Sequence, residues 1–112
     1  MREDGKLDYL ELPGGAIGDT KAFYTQAFGW TLQDYGLTYA AFDQGLNGGF
    51  DGDTDGVKTP LPVLFAQDLD AMLAKVEAAG GTIVRAPFDF PGGRRFHFRD
   101  PAGNELAVWS EA

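Results

Sequence analysis

His97 is the single histidine of this chain. Its imidazole titrates near neutral pH, so it is the side chain best suited to pass a proton, with a carboxylate such as Glu11 or Asp43 orienting it. A lone histidine serves equally as a structural hydrogen-bonding group across a sheet, and its presence alone does not choose between the two roles. Glu11 stands in Tyr9-Leu10-Glu11-Leu12. A carboxylate flanked by leucines can hold a cation, accept a proton, or close an ion pair with Arg94 or Arg95. Tyr9 and Trp109 offer flat faces on which an aromatic or cationic ligand can stack, or they fill a concave sheet. Pro91-Gly92-Gly93-Arg94-Arg95 puts two arginines after a glycine turn, where they can take a carboxylate or phosphate at a pocket rim or stay solvated.

Other chemistries are excluded by residue type. The chain has no cysteine, which removes disulfides, thiolate nucleophiles and zinc–thiolate centres. It has no nucleophile elbow, no Walker loop and no dinucleotide fingerprint. Asp51-Gly52-Asp53-Thr54-Asp55-Gly56 opens like a calcium loop, but the twelfth position, where a bidentate glutamate is required, is Pro62. An acidic linker is the expected reading.

The elements that must position these residues come from periodicity and turn signals. Tyr9–Leu12 alternates and stops at Pro13-Gly14-Gly15, so it reads as a strand. Asp19 is expected to N-cap a helix over about Thr20–Phe28, with Ile17, Ala22, Phe23 and Ala27 as its apolar face and Gly29 closing it. Strands follow at Trp30–Asp34, Tyr39–Asp43 and about Asn47–Phe50. The order then repeats: a strand at Val63–Ala66, and a helix over Leu69–Ala79 capped by Asp68 and ended by Gly80-Gly81. Strands at Thr82–Arg85, Arg95–Arg99 and Glu105–Trp109 complete it. Leu69, Met72, Leu73 and Val76 fall on one helical stripe. A repeated β-α-β-β-β order is stronger evidence than any single strand.

Period-two alternation then sorts side chains by face. Leu10, Leu12, Phe96, Phe98, Leu106 and Val108 suit the helix side. Tyr9, Glu11, Tyr39, Arg95, His97 and Trp109 are left as the lining of the opposite, concave face, with Asp43, Arg99, Glu105 and Ala107 sharing its parity. Such a face is a natural pocket for a small molecule.

The net charge of −8 over 112 residues argues against nucleic acid and anionic membranes as partners and is compatible with a cationic ligand. The charged start, Met1-Arg2-Glu3-Asp4, lacks the apolar core of a signal peptide, and no apolar run is long enough to span a bilayer, so a cytoplasmic location is expected.

Three segments carry a family resemblance: Ala22-Phe23-Tyr24-Thr25-Gln26-Ala27-Phe28-Gly29-Trp30, the helix Asp68–Gly81, and Phe98-Arg99-Asp100-Pro101-Ala102-Gly103-Asn104-Glu105-Leu106. In this order they resemble the signatures of the glyoxalase / bleomycin-resistance / dioxygenase (vicinal oxygen chelate) superfamily, over about residues 7–111. The resemblance implies one α+β domain of two βαβββ repeats, about 7–52 and 61–111, forming a curved mixed sheet with helices on the convex face. It also implies pairing into a homodimer. Metal-using members take ligands, usually His and Glu, from the first and last strands of each half. Following the motifs, those positions fall on Tyr9, on Gly49 or Phe50 with Asp51 one residue away, on Leu61 and on Ala107. These are not ligands for a divalent ion, one carboxylate apart. The resemblance thus implies a protein without metal or other cofactor that binds a small aromatic or cationic molecule, as the bleomycin-resistance type does. The rival is a lyase or isomerase using Glu11 and His97 as acid and base. The superfamily hosts many chemistries, so fold alone does not decide.

Overall fold

In the computed structural model, residues 2–53 and 58–111 are described; the stretch 54–57, the middle of the calcium-like loop, lies outside the described residues. The elements are β1 (Leu7–Pro13), α1 (Ile17–Phe28), β2 (Gln33–Asp34), β3 (Tyr39–Asp43), β4 (Asn47–Asp51), β5 (Leu61–Phe65), α2 (Leu69–Ala78), β6 (Thr82–Phe90), β7 (Gly93–Arg99) and β8 (Glu105–Glu111). The class is α+β, and β-α-β-β-β occurs twice. The chain divides into two compact units, Tyr9–Leu61 and Met1–Asp8 with Pro62–Ala112. They are called here the N-terminal and the C-terminal unit.

Within the N-terminal unit the strand order is β2-β3-β4-β1, with β1 and β4 parallel and the remaining pairs antiparallel. The helix α1 begins three residues before the expected start. Ala16 occupies the N-cap position without a side-chain cap, and Asp19 lies in the first turn, where its carboxylate meets the positive end of the helix dipole. The cause is the Gly14-Gly15 turn: Gly15 adopts φ +53°, and the Thr20 hydroxyl donates to the Gly14 carbonyl at 2.6 Å. This pulls the helix start toward the strand. The apolar face is also rotated from expectation. Ala22, Phe23 and Ala27 are exposed, Phe23 to 58%, while Ile17 and Tyr24 are half-buried. An aromatic cluster sets this phase. Tyr24 stacks on Trp30 at 4.8 Å and meets Phe50 at 4.8 Å; Trp30 meets Phe42 at 4.9 Å, and Phe42 meets Phe50 at 5.2 Å. Recruitment of Trp30 into this cluster leaves only Gln33–Asp34 of the expected strand Trp30–Asp34 paired.

The C-terminal unit repeats the order, β6-β7-β8-β5, with β5 and β8 parallel. Asp68 caps α2 as expected, accepting from the Ala71 amide at 3.1 Å. The stripe of Leu69, Met72, Leu73 and Val76 packs on Ala66, Phe96 and Val108, with Leu64, Ile83 and Phe98 around them. β6 runs five residues beyond the expected Arg85. It keeps pairing with β7 across register shifts between Ile83 and Arg85 and between Arg85 and Phe88, and such bulges accommodate Pro87, which cannot donate to a ladder. No helix among the described residues is long and apolar enough to cross a membrane.

Candidate functional site

In the N-terminal unit the register sets Glu11 opposite Gly49 and Gly49 opposite Ala41, and one rung further along Tyr39 opposite Asp51. Leu12 and Phe50 face α1 together with Tyr24, so Tyr9, Glu11, Tyr39 and Gly49 share the other face. Three of the expected site residues therefore come together. The Tyr9 and Tyr39 hydroxyls are hydrogen-bonded to each other. Tyr39 also occupies the space that a side chain at position 49 would need, since a Cβ there would run into the Tyr39 ring and hydroxyl. Burial, then the Tyr9 hydrogen bond and the charges of Glu11 and Asp51, push the Tyr39 pKa above its ordinary value. This phenol stays protonated. Glu11 is buried, while Asp43, at the end of β3, is exposed.

In the C-terminal unit, Phe96 and Phe98 pack under α2, which turns Arg95 and His97 to the opposite face, as the alternation predicts. Three rungs cross this face. The first is Arg85–His97–Ala107–Val63, the second Phe88–Arg95–Trp109–Phe65, and the third Phe90–Gly93–Glu111. His97 is 4% exposed. The carboxylate that orients it is Glu105, whose Oε2 lies 3.0 Å from Nδ1. This corrects the expectation of Glu11 or Asp43: Glu105 shares the parity of the face and sits diagonally across the β7–β8 ladder, within side-chain reach. Glu105 also approaches Arg99 Nη2 at 3.8 Å. Among the described residues the other imidazole nitrogen, Nε2, is buried without a hydrogen-bond partner. With the proton on Nδ1 facing a carboxylate, Nε2 carries the lone pair and acts as an acceptor.

Trp109 is held firmly. Its indole N–H donates to Asp8 Oδ2 at 3.0 Å, the Arg2 guanidinium lies 4.9 Å from its ring centroid, and Phe65 and Phe90 flank it at 5.5 and 6.2 Å. Arg95 lies 5.4 Å from the Phe88 ring and 5.7 Å from Phe90. Arg94 turns instead to Asp89, at 3.4 Å on the hairpin. Sequence reasoning missed Arg85 and Phe88 as members of this face, because β6 was expected to end at Arg85. The available signal was the continued β-type composition through Phe90.

Burial lowers the His97 pKa below 6.5; the Glu105 hydrogen bond opposes this, and the charges of Arg95 and Arg85 add to it. Between the lowered value and 6.5 the unfolded chain binds a proton that the folded chain refuses, so stability rises with pH there. The contribution is complete above the unfolded pKa and is lost as pH falls toward the folded one. Urea unfolding from about pH 7.5 down to about pH 5 is expected to show this loss in the native protein and a flatter dependence in His97→Phe. Parallel profiles would contradict the assignment.

The donor set does not fit the metal of the superfamily. Tyr9 is bonded to Tyr39, Gly49 has no side chain, and Phe50 belongs to the aromatic cluster. Leu61 and Ala107 are apolar and 2% and 0% exposed. Two carboxylates lie near these positions, Asp51 next to Phe50 in sequence and Glu11 across the ladder from Gly49. Among the described residues no three His, Asp or Glu side chains gather as a metal site would need.

Residues 59–108 match the family model of the Glyoxalase/Bleomycin resistance protein/Dioxygenase superfamily. Over those residues the chain carries that superfamily's sequence signature, and its fold is that of the superfamily. The anthracycline biosynthesis protein DnrV of Streptomyces peucetius is 32% identical over 128 aligned positions, covering 94% of this chain and 46% of that protein. The chain thus spans about half the length of the curated relatives it matches. Among solved structures, methylmalonyl-CoA epimerase from Mycobacterium tuberculosis superimposes with a TM-score of 0.71 at 14% identity, covering 100% of this chain and 91% of that one. The Mn(II)-bound glyoxalase from Novosphingobium aromaticivorans gives a TM-score of 0.67 at 24% identity, covering 98% and 40%. At these identities the likeness is one of fold. The superfamily repeat accounts for the two β-α-β-β-β units.

Proposed function

We propose that this chain is a metal-free binding domain for a small aromatic molecule, received on the face of the C-terminal unit that lies opposite α2. The observation that carries this reading is the His97 imidazole. It is almost wholly buried and fixed at Nδ1 by Glu105, and its Nε2 has no partner among the described residues. A buried acceptor left unsatisfied costs about 1–3 kcal/mol, which a ligand donor offsets. Phe88 and Phe90 line the same face and supply ring contacts. The similarity to an anthracycline biosynthesis protein supports a fused-ring ligand. The same imidazole favours a second reading, an acid–base reaction in which Nε2 takes a proton and Glu105 holds the ring.

Thermal unfolding of chelator-treated protein with an anthraquinone probe tests the proposal. The expected result is a saturable rise in melting temperature, unchanged by added manganese, nickel or zinc and weakened by His97→Phe. At one hundred times Kd the stabilisation is about 2.7 kcal/mol. A rise that appears only with added metal, or no rise with any fused-ring probe, overturns it. Chemical change of the probe, lost in His97→Phe, selects the second reading.

A further inference from the structure

At the Trp109 end of the C-terminal unit's face the chain holds a cation of its own. The Arg2 guanidinium lies 4.9 Å from the Trp109 ring centroid and between two carboxylates: Nε is 3.3 Å from Asp8 Oδ2, and Nη1 is 3.4 Å from Glu111 Oε1. These separations exceed the about 2.7–2.9 Å of a well-made charge-assisted bond, and the Arg2 side chain remains 48% exposed. The occupant is loosely held, but its surroundings are not. The indole N–H donates to the same Asp8 oxygen at 3.0 Å, a bond that does not depend on Arg2. Phe65, buried, and Phe90, half-buried, flank the indole. The segment that carries Arg2 has separate anchors. The Gly5 amide donates to the Phe65 carbonyl at 2.9 Å, the Phe65 amide donates to the Lys6 carbonyl at 3.1 Å, and the Asp4 carboxylate accepts from the Gln67 amide at 2.7 Å. The Arg2 side chain can therefore swing out while Asp8 keeps its place. Arg95 stands across the ladder from Trp109 and reaches toward Phe88 and Phe90; a cation is accommodated beside the indole all the same.

We propose that Trp109, Asp8 and Glu111 form a binding site for a planar organic cation of the amidinium or guanidinium class, and that Arg2 is its internal occupant, displaced when the ligand enters. The site lies apart from His97, so the proposal goes beyond the binding reading above and does not depend on it. The chemistry of the occupant defines that of the ligand. A flat, delocalised cation stacks on an indole, whose ring quadrupole attracts it. Its N–H groups meet carboxylates at its edge. An alkylammonium is a compact, strongly hydrated charge with no face to stack, and a quaternary ammonium has no N–H for Asp8 or Glu111. A neutral aromatic amide has the face without the charge. The net charge of −8 draws cations toward the protein as a whole. Competition with Arg2 follows from mass action: only the molecules in which the side chain is out present an open site, and the apparent affinity is reduced by that fraction.

Titration calorimetry at low ionic strength with benzamidine and its neutral isostere benzamide tests the proposal on the whole chain. Benzamidine is expected to bind Arg2→Gln about tenfold more tightly than the native protein, because the variant lacks the internal competitor, and to weaken as salt is added. Benzamide should bind both proteins equally weakly. Asp8→Asn in the Arg2→Gln background keeps an acceptor for the indole and should remove most of the preference for benzamidine. Lys75→Gln, on α2, changes the net charge by the same amount as Arg2→Gln and should leave the native affinity unchanged. The indole N–H resonance of Trp109, assigned by its loss in Trp109→Phe, should move during the titration while that of Trp30 stays. Equal benzamidine affinity in the native protein and Arg2→Gln overturns the proposal. A rise of the same size in Lys75→Gln overturns it too, since that result marks a general charge effect, as does the absence of benzamidine binding to Arg2→Gln. None of these results touches the His97-dependent response to the anthraquinone probe, so this proposal and the binding reading fail separately.

Discussion

Phe96→Ala is expected to destabilise the protein by about 3–5 kcal/mol, the cost of truncating a fully buried aromatic ring. Phe96 has no exposed surface and lies in the cluster with Ala66, Leu69 and Val108 that joins α2 to its sheet. Removing the ring deletes apolar burial and leaves a cavity walled by β7, β8 and the α2 stripe, three elements that cannot collapse together without breaking a ladder. Phe98, two residues on along the same face, is only half-buried at the edge of this cluster. Truncation there opens to water instead of leaving a void, so Phe98→Ala is the milder change. Urea denaturation with an unchanged slope should rank the two in this order. A loss below about 1.5 kcal/mol for Phe96→Ala would mean that the α2 stripe does not depend on this ring.

Phe50→Ala should be comparably severe in the N-terminal unit, at about 3–5 kcal/mol. Phe50 is 1% exposed and contacts Tyr24, Phe42 and Trp30 at centroid distances of 4.8, 5.2 and 6.4 Å. Tilted ring pairs contribute about 0.5–1.5 kcal/mol beyond burial, and Phe50 takes part in three. The cluster is what couples α1 to β3 and β4, because α1 itself has no fully buried residue. Tryptophan fluorescence should therefore report a changed Trp30 environment along with the loss of stability. Phe50→Leu, which fills most of the space but makes no ring pair, should lose less. Equal losses for Leu and Ala would show that ring geometry contributes little, and an unchanged midpoint for Ala would remove Phe50 from the core.

Several features of the fold and site were legible in the residues because they depend only on local spacing. The α2 stripe at Leu69, Met72, Leu73 and Val76, and the Asp68 cap, follow from helical geometry within one short segment. The opposite orientations of Phe96 and His97 follow from the two-residue period of a strand, whatever the strand pairs with.

What only the tertiary structure decided lies across strands. The phase of α1 depended on which aromatic ring the sheet would accept: Tyr24 won over Phe23 because Trp30 and Phe50 pack on it, and Phe42 packs on both of those. The role of Gly49 depended on Tyr39 arriving from β3 to occupy the room it leaves. Glu105, eight residues from His97 in sequence, became its partner through the β7–β8 register. Arg85 and Phe88 joined the candidate site through two register shifts in β6. Alternation tells which face a side chain takes, but a bulge changes which residue stands opposite it. Register is set by the sum of contacts along both strands, so the neighbours of His97 were settled only when β6, β7 and β8 were aligned.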